Sequence, residues 1–366
     1  MPSLTALPSI VGRTTSLTIT IALVASAAAF ALDASGVSQT AVFVVSAVAL
    51  ATLAVLIGQG TDQLGHRFGP GATGILQSAL GNLPELFISI FALQAGLVVV
   101  VQTALIGSIL ANTLLVLGLA FLVGGLRHGT QTFHAPSVRT MATLLLLAVA
   151  ALAIPTLATA PGEPDAGHQV DLSVVVSIVL LVVFAASVPF SLRGGPGAHA
   201  ELEEPSGTVW PIGVAIGVLV AGGVGAALTS DLFVEALKPT MASLGLSEAF
   251  VGLVVVAIAG NAVENVVGIQ AAAANKTDLA TSLILNSSLQ VAIALTPALV
   301  LISLLIGGGA LTLVLTPLLL GAVVLAAVLA AVIVFDGESN WLEGLALLGL
   351  YVIIAASVWY GPPIQP

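Results

Sequence analysis

Two carboxylates stand where a chain buried in hydrocarbon rarely keeps one. GNLPE at 81–85 and GNAVE at 260–264 lie inside long apolar runs, and each places a Gly-Asn pair just ahead of a glutamate, Glu85 or Glu264. An ionised carboxylate at mid-membrane costs at least about 2.5–3.5 kcal/mol, so it is kept there for a task. A structural role would call for a Lys or Arg partner, and the apolar runs around them hold none. The carboxylates and the amide oxygens of Asn82 and Asn261 are hard donors, and Ca²⁺ takes about six to eight such oxygens. The same carboxylates hold a proton when neutral, and two that interact titrate as a unit. Both Gly-Asn pairs loosen their helix, while Pro84 removes a backbone donor and pushes Leu83 out of helical geometry. A broken helix at that depth needs protein or a wet cavity beside it, and its freed carbonyls add further oxygens.

Spacing extends the oxygen set. Ser78, Asn82, Glu85 and Ser89 step by four, three and four, which puts them on one helical face. Ser108 and Asn112 are four apart on the next run, and Asn261 shares a face with Glu264. NSSLQ at 286–290 sets Asn286 and Gln290 together with Ser287 between them. These positions predict one polar cavity in an apolar bundle, with Glu85 and Glu264 as its metal ligands. Thr103, Thr113, Thr281, Ser282 and Ser288 are expected to make hydrogen bonds between helices instead. Asp62 and Asp231, placed near helix ends, are either solvated or candidate gates. The remaining acids Glu163, Asp165, Asp171, Glu201, Glu203 and Glu204 read as wet loop residues. His66, His128, His134, His168 and His199 fall outside the apolar runs and show no ligand pairing. With no His or Cys in any span, and neither HExxH nor GxSxG in the chain, the sequence argues against a membrane-embedded hydrolase.

The elements that position these residues follow from composition. Of 366 residues 58% are hydrophobic and 7% charged, with mean hydropathy +1.18. Soluble chains average about 25% charged residues, so this is a polytopic membrane protein. The net charge of −10 comes from 17 acids against 7 bases and marks an anionic loop surface. At about 20 apolar residues per span, eleven spans are predicted: 14–33, 40–58, 71–94, 97–124, 138–159, 171–192, 209–230, 249–274, 279–307, 311–334 and 340–360. Continuous Leu/Val/Ala runs favour helices over a barrel. The first run follows no cleavable signal pattern and is expected to be retained. Arg13, Arg67, Arg127, Arg139, Arg193 and Lys276 fall on one side and Lys238 on the other. That asymmetry predicts a cytoplasmic N-terminus and an external C-terminus in a bacterial inner membrane.

Residues 81–110 and 260–289 align at a constant offset of 179 with eight of thirty identities, among them Gly81/Gly260, Asn82/Asn261, Glu85/Glu264 and Ser108/Ser287. Polar residues recurring in register inside two apolar runs mark an internal repeat. Each copy holds five spans, and an odd number turns the second copy over. This is the inverted repeat of secondary transporters, with substrate bound at the midplane. The predicted organisation is an N-terminal helix (1–39), a first repeat (40–192), a linker with a short acidic cluster (193–208) and a second repeat (209–366).

These motifs carry a resemblance. GQGTDQLGHRFG, GNLPELFISIFAL, GSILANTLLVLG, QTFHA, FVGLVVVAIAGNAVEN, NKTDLA and SSLQVAIALTP, spread over residues 40–300, resemble the cation/proton exchanger family of the Ca²⁺/cation antiporter superfamily. The resemblance implies Ca²⁺/H⁺ exchange, one extra helix before two inverted five-helix halves, and cation binding at Glu85 and Glu264. It also implies a binding role for Asn82, Asn261, Ser108, Ser287 and Gln290. The family often has Glu where Asp62 and Asp231 stand and His where Asn265 stands, and the LPE of the first motif resembles the Na⁺/Ca²⁺ exchanger branch. Na⁺ or K⁺ against H⁺ therefore stays open beside Ca²⁺, as does a passive cation channel, against which the interrupted helices of the repeat argue. Expected partners are the transported ions and the bilayer, with a homo-oligomer left open; neither a cofactor nor nucleic acid is expected.

Overall fold

The structure, a computed structural model, describes residues 11–36, 38–68, 80–192 and 209–360. In hydrocarbon a lone segment satisfies all its backbone donors and acceptors only as a helix. The described residues form α1 (Arg13–Ala34), α2 (Gln39–Phe68), α3 (Leu83–Gln94), α4 (Val98–His128), α5 (Ala135–Ala158), α6 (Gln169–Leu192) and α7 (Ile212–Leu244). They continue as α8 (Glu248–Gly260), α9 (Ala262–Ala273), α10 (Thr277–Ile306), α11 (Pro317–Ile333) and α12 (Trp341–Tyr360). Among the described residues eight of these are long and apolar enough to cross a membrane alone. The pair α8 and α9 qualifies together, bent by 62°, and α3 and α11 are shorter apolar helices. Leu147, Val182, Val220 and Ile353 lie exposed on helix faces, as expected of surfaces that meet lipid. The chain is an all-α integral membrane protein.

The helices group into two compact units, one from residues 1–91 and 190–245, the other from 92–189 and 246–366. In the first, α2 and α7 pack in opposite directions, with Leu53 over Gly225, Ile57 over Gly222 and Leu219 over Gly60. Phe43 and Phe233 stack at 4.7 Å along the same seam. In the second, α4 is the most buried of the long helices, and α8, α9, α10 and α12 pack around it. A two-residue antiparallel pair, β1 (Gln131–Thr132) with β2 (Glu338–Ser339), ties two connectors of this unit.

Three departures from the predicted spans have physical causes. α2 runs ten residues past 58 to Phe68, and α7 runs past Ser230 to Leu244. Gln, Leu, Glu, Ala and Lys sustain a helix beyond the apolar stretch, and Gly245, left-handed at φ 65, ends α7. Asp62 and Asp231 therefore lie within helices, exposed, rather than near their ends. The span predicted from 311 begins only at Pro317, where the Thr316 hydroxyl accepts from the Leu319 N–H. Gly307, Gly308 and Gly309, with φ of 77, 87 and 119, stop α10, and 310–316 continues extended. Side chains replace the missing helical bonds. The N–H groups of Leu311, Leu313 and Leu315 donate to Ser303 Oγ, Ser173 Oγ and Thr156 Oγ1 at 2.8–2.9 Å. Gln102 Nε2 donates to the carbonyls of Thr312 (3.0 Å) and Val314 (2.6 Å). Gln102 inside an apolar run and the GGG triplet were the available signals for this strap.

Candidate functional site

Both GNxxE motifs hold a turn that opens a half-helix, but not where proline alone would put it. In the first unit Gly81 and Asn82 form a turn and α3 starts at Leu83. Pro84 falls in the first turn of α3, where its missing N–H has no helical partner to lose, so Leu83 is helical and the chain departs from the helix at Gly81–Asn82. The Asn82 carbonyl accepts from the Leu86 N–H at 2.9 Å and so opens α3. In the second unit the break is one residue wide. Asn261, at φ −91 and ψ 26, ends α8 and precedes α9. Its side chain folds back, donating Nδ2 to the Ala257 carbonyl at 2.7 Å.

Asn261 is also the centre of a buried network in the second unit. Its Nδ2 donates to Ser108 Oγ at 2.9 Å, and its Oδ1 accepts from Ser108 Oγ at 3.2 Å and from Asn112 Nδ2 at 2.7 Å. Asn112 Nδ2 donates again to Ser287 Oγ at 3.1 Å, and the Ser287 hydroxyl donates to Glu264 Oε1 at 3.1 Å. Four elements supply these groups. Ser108 and Asn112 come from α4, Asn261 from the α8–α9 break, Glu264 from the first turn of α9, and Ser287 from α10. The close approach of α4 to α8 depends on Gly107, where a Cβ would stand 2.4 Å from the Leu253 carbonyl oxygen. Asn112 sits in a π-helical turn, Ala111–Val116, which shifts its side chain relative to an unbroken α-helix.

The hydrogen bonds leave one atom over. Both Asn112 amide hydrogens are committed, while its Oδ1 is buried with no hydrogen-bond partner. Such an oxygen costs about 1–3 kcal/mol unless something satisfies it. The donor chain ends on Glu264, an acceptor-only group when ionised. The network thus keeps two oxygen groups with spare acceptor capacity, the Glu264 carboxylate and Asn112 Oδ1.

The other predicted residues divide. Glu85 and Ser89 are both buried, one turn apart on α3, and Asn82 is half-buried at the turn before them. Gln290 is buried and Asn286 half-buried on α10, but neither side chain hydrogen-bonds into the network. The spacing of four sets them on one face without joining them to Ser287's partners. Thr103, Thr113, Thr281 and Ser288 do not bridge helices. Each hydroxyl donates to a carbonyl of its own helix, at Val99, Ile109, Thr277 and Ile284 respectively, because the i−4 carbonyl is always within reach. Ser282 makes no side-chain hydrogen bond among the described residues. Ser78, Arg193, His199, Glu201, Glu203 and Glu204 lie outside the described residues.

Comparison with known proteins agrees with this architecture. The family described as sodium/calcium exchanger protein matches residues 38–193 and 214–360. A Ca²⁺/H⁺ antiporter of Synechocystis sp. is 35% identical over 364 residues, covering 92% of this chain and 95% of the relative. The Ca²⁺/H⁺ antiporter ChaA of Bacillus subtilis is 38% identical over 319 residues, covering 86% and 90%. Among solved structures, native YfkE superposes with a TM-score of 0.81 at 32% identity, over 93% of this chain and 99% of that one. The H⁺/Ca²⁺ exchanger CAX shares the fold, with a TM-score of 0.71 at 16% identity over 94% and 92%. Broken helices, a buried carboxylate and an alignment that runs nearly end to end converge, and the chain belongs to the sodium/calcium exchanger protein family of membrane transporters.

Proposed function

We propose that this protein is a secondary antiporter that exchanges Ca²⁺ for H⁺ by alternating access, with Glu85 and Glu264 each carrying cation in one leg of the cycle and protons in the other. One observation carries the reading. Glu264 ends a buried network of amide, hydroxyl and carboxylate groups in which the Asn112 Oδ1 has no hydrogen-bond partner, in a chain whose relatives are named Ca²⁺/H⁺ antiporters. Asn82, Asn261, Ser108, Ser287, Asn112, Asn286 and Gln290 serve as cation or proton ligands, and Asp62 and Asp231 as gates. Transport of this kind needs no resident cofactor and makes the protein a carrier rather than an enzyme.

The architecture follows. The bent pair α8–α9 crosses once, α3 and α11 each complete a crossing, and the total is eleven spans in one extra helix and two inverted five-helix halves. The offset of 179 supports the repeat: it maps the break at Asn82 onto Asn261, and the π turn Ala111–Val116 onto the π turn Val291–Leu295 to within a residue. The N-terminus is cytoplasmic and the C-terminus external, in a bacterial inner membrane; a C-terminal reporter reached only from the cytoplasm would contradict this.

Proton flux driven by added Ca²⁺ in everted vesicles tests the reading, with Glu264→Gln abolishing the flux in a folded protein. The family description includes sodium, so Na⁺ and K⁺ are run in parallel. Full Ca²⁺-driven exchange by Glu264→Gln would sink the assignment of the site.

A further inference from the structure

Two of the motifs that carry the family resemblance, QTFHA (131–135) and NKTDLA (275–280), hold none of the proposed ion ligands, yet they meet in the second unit. Gln131, 2% exposed, lies in β1 between α4 and α5. Its Nε2 donates to the Ala272 carbonyl in the last turn of α9 at 3.1 Å, and to Asn275 Oδ1 in the next connector at 2.8 Å. Asn275 takes the left-handed conformation at φ 60, which Asn tolerates better than most residues. Around this contact the His134 N–H donates to the Asp278 carboxylate, and His128 Nε2 lies 3.0 Å from the Ala273 carbonyl. Pairing of Gln131 with Ser339 and of Thr132 with Glu338 fixes β1 itself.

α9 is the half-helix whose first turn carries Glu264. At 12 residues it is too short to hold a fixed direction by its own hydrogen bonds. Asn261 fixes its first end through α4 and α8, and the contact at Ala272 fixes its last. Both carbonyls that Gln131 and His128 reach belong to the C-terminal end of α9, where the Ala272 oxygen also accepts from the Asn275 N–H at 3.0 Å, so the side chain and the connector hold the same carbonyl.

We propose that Gln131 is a positioning residue for exchange: it anchors the C-terminal end of α9 and, through that helix, sets where Glu264 meets Ser287. The inference rests on the reading of Glu264 as the ion- and proton-carrying group. The test is cation-driven proton flux by the full-length chain in proteoliposomes, using whichever of Ca²⁺, Na⁺ and K⁺ drives it, with rates normalised to folded protein. Gln131→Met keeps the length of the side chain and removes its donor. The apparent KM for the cation should rise about tenfold, equivalent to about 1.4 kcal/mol, with the maximal rate within twofold of the unsubstituted chain. Asn275→Ala, which spares the Ala272 bond, should move KM the same way by less, and it stands in if Gln131→Met does not fold. Thr132→Val, on the exposed neighbour, should leave KM alone. A loss confined to protein yield or maximal rate, with KM unchanged in Gln131→Met and Asn275→Ala, would make Gln131 a structural residue only. Glu264→Gln in the same vesicles separates the two levels. If it is inactive while Gln131→Met keeps its KM, the positioning role alone fails; if it still exchanges, the reading of the site fails and takes this inference with it.

Discussion

Asn112→Leu separates a ligand from a packing residue. The side chain is fully buried, donates two hydrogen bonds of 2.7 and 3.1 Å, and carries an oxygen with no partner. Losing two neutral hydrogen bonds costs about 1–3 kcal/mol in total, at about 0.5–1.5 each. Neither former acceptor is stranded, since Asn261 Oδ1 keeps the Ser108 hydroxyl and Ser287 Oγ keeps its own bond to Glu264. Removing the unsatisfied Oδ1 relieves a penalty of about 1–3 kcal/mol. The two contributions are of similar size and opposite sign, so folding stability should hardly change. Cation binding has no such compensation. A contact to a charged group is worth about 1.5–3 kcal/mol, and each 1.4 kcal/mol is a factor of ten, so the apparent KM for Ca²⁺ should rise by about 10–100-fold. Thermal unfolding in detergent and Ca²⁺-driven proton flux in proteoliposomes give both numbers from one preparation. A variant destabilised by more than about 3 kcal/mol with an unchanged KM would refute the argument, because Asn112 would then be a structural residue and its free oxygen no ligand.

Two further predictions rest on other parts of the molecule. Ser173→Ala strands the N–H of Leu313 in the extended strap, which should cost about 1–3 kcal/mol and lower the melting temperature, whereas Ser173→Thr keeps the hydroxyl and should not; equal effects would mean that the strap does not depend on that bond. His168 should titrate above the ordinary histidine value, because the Asp171 carboxylate, 3.0 Å away, accepts from its ring and stabilises the charged form. Its raised value means that any stability it lends is complete below the ordinary histidine value and is lost as pH rises through the raised one. Asp171→Asn, followed by NMR titration of His168, should bring the value down, and no movement would remove Asp171 as the cause.

Much of the site is written in spacing. Ser108 and Asn112, four apart, do reach Asn261, and Asn261 and Glu264 do share a network with Ser287. Asn286 and Gln290 show what spacing leaves out. A step of four sets residues on one helical face, but which helix that face meets depends on packing between distant segments. The threonines make the same point, since a hydroxyl in a helix has a carbonyl of its own helix at hand before any neighbour arrives. Hydropathy set the lengths of α1, α6 and α12 to within two residues but failed at three places: α2 and α7 extend through polar residues, while the apolar stretch before Pro317 is an extended strap stabilised by Gln102, Thr156, Ser173 and Ser303. The π turn around Asn112 has no sequence signature, and with it the free Oδ1 was out of reach.

The central claim, that ion and proton occupy the same carboxylates, is tested most directly by the pH dependence of the apparent KM for Ca²⁺. A site built from groups that must lose protons binds metal less well as pH falls. If Ca²⁺ requires both Glu85 and Glu264 ionised, lowering the pH on the cation-binding side must raise KM, with a slope above one proton per ion over part of the range and little change in the maximal rate. A separate proton route through Asp62 or Asp231 would make pH alter the maximal rate while KM stayed constant, and that result would contradict the shared-site mechanism.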